Sequence, residues 1–264
     1  MDLGLKGRVA AVAASSKGLG YACALELARE GAAVAICSRD HTRIEEAARR
    51  LAEAVPGAKI HAATHDLSSE DGARAFIDDA ASNLGRLDVL VTNSGGPTPG
   101  SFDQLSLEDI RASVSGSLMA PIAMIHAAVP HMRERRWGRI VNLMSITVKQ
   151  PRTSLLISST MRTGVMGYAR TIANDLAREN ITVNNIATGY TRTERLDELA
   201  EHTSATQNKK IEDVFAAWER DIPAQRLARP EELAAVVAFL ASERASYLTG
   251  ATIAVDGGWV QSLY

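Results

Sequence analysis

The fold is decided by the stretch Arg8-Val9-Ala10-Ala11-Val12-Ala13-Ala14-Ser15-Ser16-Lys17-Gly18-Leu19-Gly20. Arg8 to Ala13 is a short apolar run without polar alternation, as expected of a strand buried on both faces. A turn of small residues follows, and the spacing beyond it predicts a helix from about Gly18 to Arg29. Between a strand and a helix, backbone amides can cradle a pyrophosphate at the positive end of the helix. Gly18 and Gly20 permit close approach to such a ligand and close packing of helix on strand. A glycine-containing helix start without a ligand is the plainer alternative; the strand before it favours the nucleotide reading.

Outward from this turn, short apolar runs alternate with longer stretches of helical spacing. The runs are Ala32 to Cys37, Lys59 to Thr64, Leu87 to Thr92, Arg139 to Leu143, Ile181 to Ala187 and Ala251 to Val255. Helical spacing covers Thr42 to Val55, Ser69 to Leu84, Leu107 to Arg135, Ser158 to Arg178 and Pro230 to Leu240. With right-handed crossovers this pattern predicts an α/β fold, a Rossmann-like doubly wound parallel sheet of about seven strands flanked by helices. No linker or composition shift divides the chain, so residues 1–264 are read as one domain.

Composition narrows the classes further. The 29 Lys+Arg against 31 Asp+Glu give a net charge of −2, which removes the electrostatic motive for nucleic-acid or anionic-membrane binding. Cys23 and Cys37 have no neighbouring ligands and read as buried free thiols, not as a disulfide or metal framework. No uninterrupted apolar run reaches the length of a membrane span and no signal peptide is expected, so a cytoplasmic location is expected.

Several motifs, in order, resemble the short-chain dehydrogenase/reductase family over nearly the whole chain. The family turn reads Thr-Gly-x3-Gly-x-Gly. Gly18 and Gly20 match its last two glycines, while Ala13 and Ala14 stand at its first two positions. If the first glycine position needs φ > 0, an alanine there costs about 1–2 kcal/mol. Asp66 and Leu67 match the pair that touches the adenine ring. Asn93-Ser94-Gly95-Gly96 is similar to the Asn-Ala-Gly motif, and Thr188-Gly189 to the Pro-Gly motif beside the nicotinamide. Tyr247 to Gly258 is similar to the C-terminal strand region, which implies a homotetramer by resemblance. The cofactor-binding set is therefore Ser15, Ser16, Lys17, Gly18, Leu19, Gly20, Arg39, Asp66, Leu67, Asn93, Gly95, Arg162 and Gly189. After the second strand the chain reads Cys37-Ser38-Arg39. A carboxylate there would take the 2′-hydroxyl of NAD, whereas an arginine accommodates the 2′-phosphate of NADP. NADP(H) is thus favoured over NAD(H), with Lys17 as a second cation.

The resemblance implies a catalytic serine, a tyrosine after twelve intervening residues, a lysine after three more, and an upstream asparagine. Ser145 matches the serine. The tyrosine, lysine and asparagine positions hold Ser158, Arg162 and Ser117. An alcohol is too weak an acid to replace a phenol, whose pKa starts at about 10. Arginine stays protonated and binds by its fork. Tyr168 lies ten residues beyond Ser158, roughly 15 Å along a helix, and is excluded as a substitute. Tyr190 and Lys149 can approach the site but read more simply as a packed loop tyrosine and a surface lysine. Lys149, Arg152 and Arg162 together suggest a basic pocket and an anionic substrate; three unrelated solvated cations are the alternative. Residues 191–223 replace the family's substrate lid. There Ile211, Val214, Phe215 and Trp218 predict an amphipathic helix, and the polar run Glu201 to Lys210 is expected to be mobile.

Three readings stay open: an NADP(H)-dependent oxidoreductase similar to 3-oxoacyl-carrier-protein reductases, acting on a small carbonyl or hydroxy compound; a non-catalytic nucleotide-binding or regulatory protein; and a lyase or isomerase on the same scaffold.

Overall fold

A computed structural model describes residues 2–263. Seven parallel strands form one sheet in the order β3-β2-β1-β4-β5-β6-β7. They are β1 (Val9–Val12), β2 (Ala33–Ser38), β3 (Ile60–Thr64), β4 (Val89–Thr92), β5 (Gly138–Leu143), β6 (Ile181–Thr188) and β7 (Thr252–Val255). The first winding runs outward from β1 to β3, and the chain then returns to place β4 on the other side of β1. That reversal opens a crevice beyond the carboxyl ends of β1 and β4, the place where such sheets hold ligands.

Each face of the sheet carries its own core. On one lie α1 (Gly18–Arg29), α2 (His41–Ala54) and α9 (Pro230–Leu240), which bury Leu27, Ile44, Leu51, Leu233 and Val237. On the other lie α3 (Glu70–Leu84), α5 (Ala120–Arg135) and α6 (Leu156–Leu176), which bury Phe76, Ile77, Met124 and Ala173. The helix starts have local causes. Asp40 caps α2 by accepting from Arg43 N at 3.0 Å, and Ser69 caps α3 by accepting from Gly72 N at 3.1 Å.

The stretch expected as one long helix, Leu107 to Arg135, is α4 (Leu107–Val114), a π-helical turn at Ser115–Met119, and α5. By length and composition, Leu107–Glu134 would reach across a membrane. In this fold Ala120, Met124, Ile125 and Ala128 instead fill the core beside α3. Cys23 and Cys37 are buried free thiols, and burial pushes both up to about 12.

The 191–223 segment departs from expectation. The polar run expected to be mobile is mostly helical, within α7 (Glu194–Gln207), and the predicted amphipathic helix follows as α8 (Ile211–Asp221). Leu196 and Ala200 are buried, and Glu194 and Asp197 lie in the first turn, where the dipole favours acids. Leu196, Val214, Trp218, Tyr190, Trp259 and Ile146 share a third, smaller core.

Candidate active site

A polar ladder runs through the sheet below the crevice. Thr92, Asn142, Asn185 and Thr252 are register partners on β4, β5, β6 and β7. Thr92 Oγ1 donates to Asn142 Oδ1 at 2.7 Å, Asn142 Nδ2 to Asn185 Oδ1 at 3.0 Å, and Asn185 Nδ2 to Thr252 Oγ1 at 3.1 Å. A slip of one residue would leave buried amides without partners, so the ladder holds the register of four strands. It therefore sets where Ser145 and Gly189, just beyond β5 and β6, emerge. Asn185 was not among the motif positions; only register reveals its role.

The turn after β1 is built by close backbone approach. Ala14 takes the left-handed region at φ 47°, and Gly18 does so at φ 59°. A Cβ on Gly20 would stand 2.4 Å from the Ala14 carbonyl oxygen, so only glycine lets α1 approach the turn this closely. Asn93 Nδ2 donates to that same oxygen at 3.3 Å and braces the turn from the end of β4. No side chain caps α1, which leaves its first-turn amides directed at the crevice. Because Ala14 carries the strain anticipated for an alanine here, Ala14→Gly is expected to raise stability by up to about 1 kcal/mol. That corresponds to roughly 2–4 °C in Tm by differential scanning fluorimetry, and an unchanged or lower Tm would contradict the strain.

Three members of the sequence-derived cofactor set are engaged differently. The Ser15 side chain is buried: its Oγ donates to the Val12 carbonyl at 2.7 Å and accepts from Cys37 N at 3.0 Å, tying the turn to β2. It is therefore not free for a ligand. The Lys17 ammonium pairs with Glu194 at the start of α7 and so does not stand as a free second cation for a 2′-phosphate. Gly189 is required by packing, since a Cβ there would lie 2.6 Å from Asp256 Cα. Gly95 meets nothing within 4 Å of a built Cβ, and Ser16 offers its carbonyl to Arg50 at 3.0 Å.

At the far end of the crevice Arg39 is exposed and forms no ion pair among the described residues. The carboxylate nearest to it in sequence, Asp40, is occupied as the α2 cap. Asp66 lies within the field of Arg39. Its carboxyl is held below the ordinary value first by the Ser68 amide, at 2.9 Å, with Arg39 adding to the effect. Leu67 packs its apolar side against the second core.

The remaining positions lie just beyond β5, in the π-helical turn before α5, and on α6. Ser145 starts the 3₁₀ turn Ile146–Val148, and its Oγ accepts weakly from Thr147 N at 3.3 Å. Ser158 and Arg162 are one helical turn apart on α6 and share a face. Ser158 is buried, and its hydroxyl has no hydrogen-bond partner among the described residues. Arg162 is partly buried and donates from Nη1 to the Leu143 carbonyl at 2.8 Å, beside Ser145; its other N–H groups have no acceptor among the described residues. Burial draws the Arg162 guanidinium down to about 10, and the positive charge of Arg195 acts in the same direction. A cation that sequence motifs did not point to, Arg195 of α7, acts on Arg162. Ser117 sits in the π-helical turn, whose Leu118 lies against Gly164 of α6.

The first turn of α7 spans the crevice, which sequence motifs did not show. Thr193 lies beside Gly18, Glu194 pairs with Lys17, and Arg195 donates to the Pro97 carbonyl at 3.1 Å. Tyr190 is not poised as an open acid: its ring stacks on Trp218, centroids 5.0 Å apart. Tyr168 packs on His126, away from these groups.

Comparison with known proteins agrees with this architecture. A family model described as enoyl-(acyl carrier protein) reductase matches residues 13–260. NADPH-dependent reductase BacG of Bacillus subtilis is 33% identical over 259 residues, covering 97% of this chain and 99% of its own. The 3-oxoacyl-[acyl-carrier-protein] reductase FabG of Aquifex aeolicus is 31% identical, covering 98% and 99%. The L-sorbose reductase of Gluconobacter frateurii, solved with NADPH and L-sorbose, superposes with a TM-score of 0.93 at 31% identity and full coverage of both chains. The chain belongs to the short-chain dehydrogenase/reductase family.

Proposed function

We propose that this protein is an NADP(H)-dependent reductase of small carbonyl compounds whose site departs from the family pattern at the proton-donor and lysine positions. The observation that carries the cofactor reading is the uncapped start of α1, with Gly20 pressed on the Ala14 carbonyl, opening toward an unpaired Arg39. The α1 amides at Gly18, Leu19 and Gly20 would hold the pyrophosphate, Arg39 the 2′-phosphate, and Asp66 and Leu67 the adenine side. Arg162 would fork onto a ribose. When bound, the cofactor supplies a hydride equivalent.

The protein's own residues then act on the substrate oxygen. Ser145 donates a hydrogen bond from its hydroxyl to that oxygen and keeps its proton. Arg162 remains a cation throughout the neutral range and stabilises negative charge developing nearby. Ser158 is too weak an acid to donate near neutral pH, so the site works by electrostatic stabilisation and the proton arrives from solvent. Helices α7 and α8 form the substrate lid, held across the crevice by Glu194 and Arg195.

Fluorescence titration tests the cofactor reading. NADPH is expected to bind about 10–100-fold more tightly than NADH, and Arg39→Ala to remove most of that difference. Equal affinity for NADH would refute it. Ser145→Ala is expected to abolish NADPH oxidation across a ketone panel. A parent that binds NADPH yet turns over no ketone would favour the nucleotide-binding, regulatory reading to which the Ser158 replacement points.

A further inference from the structure

Arg152 is a partly buried cation whose guanidinium has, among the described residues, aromatic neighbours but no hydrogen-bond acceptor. Arg152 lies in the loop between Ser145 and α6. Its guanidinium carbon stands 4.9 Å from the Trp259 ring centroid and 5.4 Å from that of Tyr190. The side chain is partly buried, and among the described residues it donates no hydrogen bond and forms no ion pair. Burial lowers its pKa, and the more distant charge of Asp221 only partly opposes this. The neighbouring rings fix its location. Tyr190 immediately follows Gly189, and Tyr190 and Trp259 belong to the same small core as Ile146, the residue after Ser145. Gln150 accepts from Gln261 N at 3.2 Å and holds the loop against the C-terminal segment.

We propose that Arg152 anchors the substrate, and that the substrate is a carbonyl compound bearing a carboxylate. This rests on the reductase reading of the same site. Contact with aromatic faces restrains a guanidinium through its π face and leaves its in-plane N–H groups to a planar anion. A bidentate pair with a carboxylate would satisfy donors that have no protein acceptor. One guanidinium with Asp221 in range matches a monoanion better than a phosphate dianion. The charge that acts on Arg152 is that of Asp221, whereas the one that acts on Arg162 is that of Arg195, so the two arginines take different roles. The anchor therefore sets which carbonyl compound is accepted without taking part in the chemistry.

The test uses 4-oxopentanoate, 5-oxohexanoate and 4-oxo-4-phenylbutanoate, each beside its methyl ester. Binding is read from the emission of Trp218 and Trp259, which flank the site, with and without NADP⁺. At least one acid is expected to bind tenfold or more tightly than its ester. Arg152→Gln should erase that preference, and Arg152→Lys should keep part of it. The NADPH dissociation constant should change less than twofold in both variants. Equal binding of acids and esters throughout the set overturns the proposal, as does an acid preference that survives Arg152→Gln in a protein that still binds NADPH. If NADPH fails to bind while the acid preference depends on Arg152, the cofactor reading falls and the anchor stands.

Discussion

Gly20→Ala is expected to weaken NADPH binding at least about a hundredfold. The added carbon would stand 2.4 Å from the Ala14 carbonyl oxygen and 2.9 Å from Ser15 Cα, both backbone atoms with no rotamer to escape into. Ala14 is already in the left-handed region and its oxygen is held by Asn93, so the turn must move as a unit. That movement displaces the α1 amides from the crevice, and geometry-dependent anion binding is lost with them. Gly167→Ala is the matched control. It lies within α6, a Cβ there meets nothing within 4 Å, and helix propensity favours the alanine by about 0.5–1 kcal/mol. Its NADPH affinity should equal the parent's. A Gly20→Ala protein that binds NADPH normally would show that the turn is not the cofactor cradle.

The second large effect is a gain. The double variant Ser158→Tyr/Arg162→Lys is expected to reduce simple ketones about 10²–10⁴-fold faster than the parent, because it restores a general acid and a neighbour that lowers its pKa. The Ser158 hydroxyl has no hydrogen-bond partner among the described residues, so its replacement breaks none, and it faces the same side of α6 as Arg162. Its pH profile should also change. On the proposed mechanism the parent uses Arg162, held at about 10 by burial, and should be flat near neutrality. The variant should lose rate as pH rises through the pKa of the new phenol. Initial rates of NADPH oxidation between pH 6 and about 10 distinguish the two. A folded, NADPH-binding double variant no faster than the parent would mean that protonation does not limit this site.

The motif positions became legible through local spacing. Twelve intervening residues from Ser145 to Ser158, and three more to Arg162, carry the chain from a strand end through a loop onto one helix face. Any sequence keeping that spacing places those three groups similarly. The spacing also showed which chemical groups stand there. It did not show that Ser15 turns inward to β2, or that Lys17 is taken up by Glu194, 177 residues away. Such pairings form between segments with no sequence relation, so no periodicity reports them.

By itself, the sequence determined the parallel α/β fold, the glycine turn and the chemical identity of the candidate site residues. These depend on side-chain period, on the φ freedom of glycine and on short covalent spacing. Tertiary structure alone decided the register ladder from Thr92 to Thr252, the close contact that excludes any side chain from Gly189, and the span of α7 across the crevice. It also left Arg152 between two rings without an acceptor. Each is a meeting of distant segments, set by packing and electrostatic complementarity once the sheet has closed.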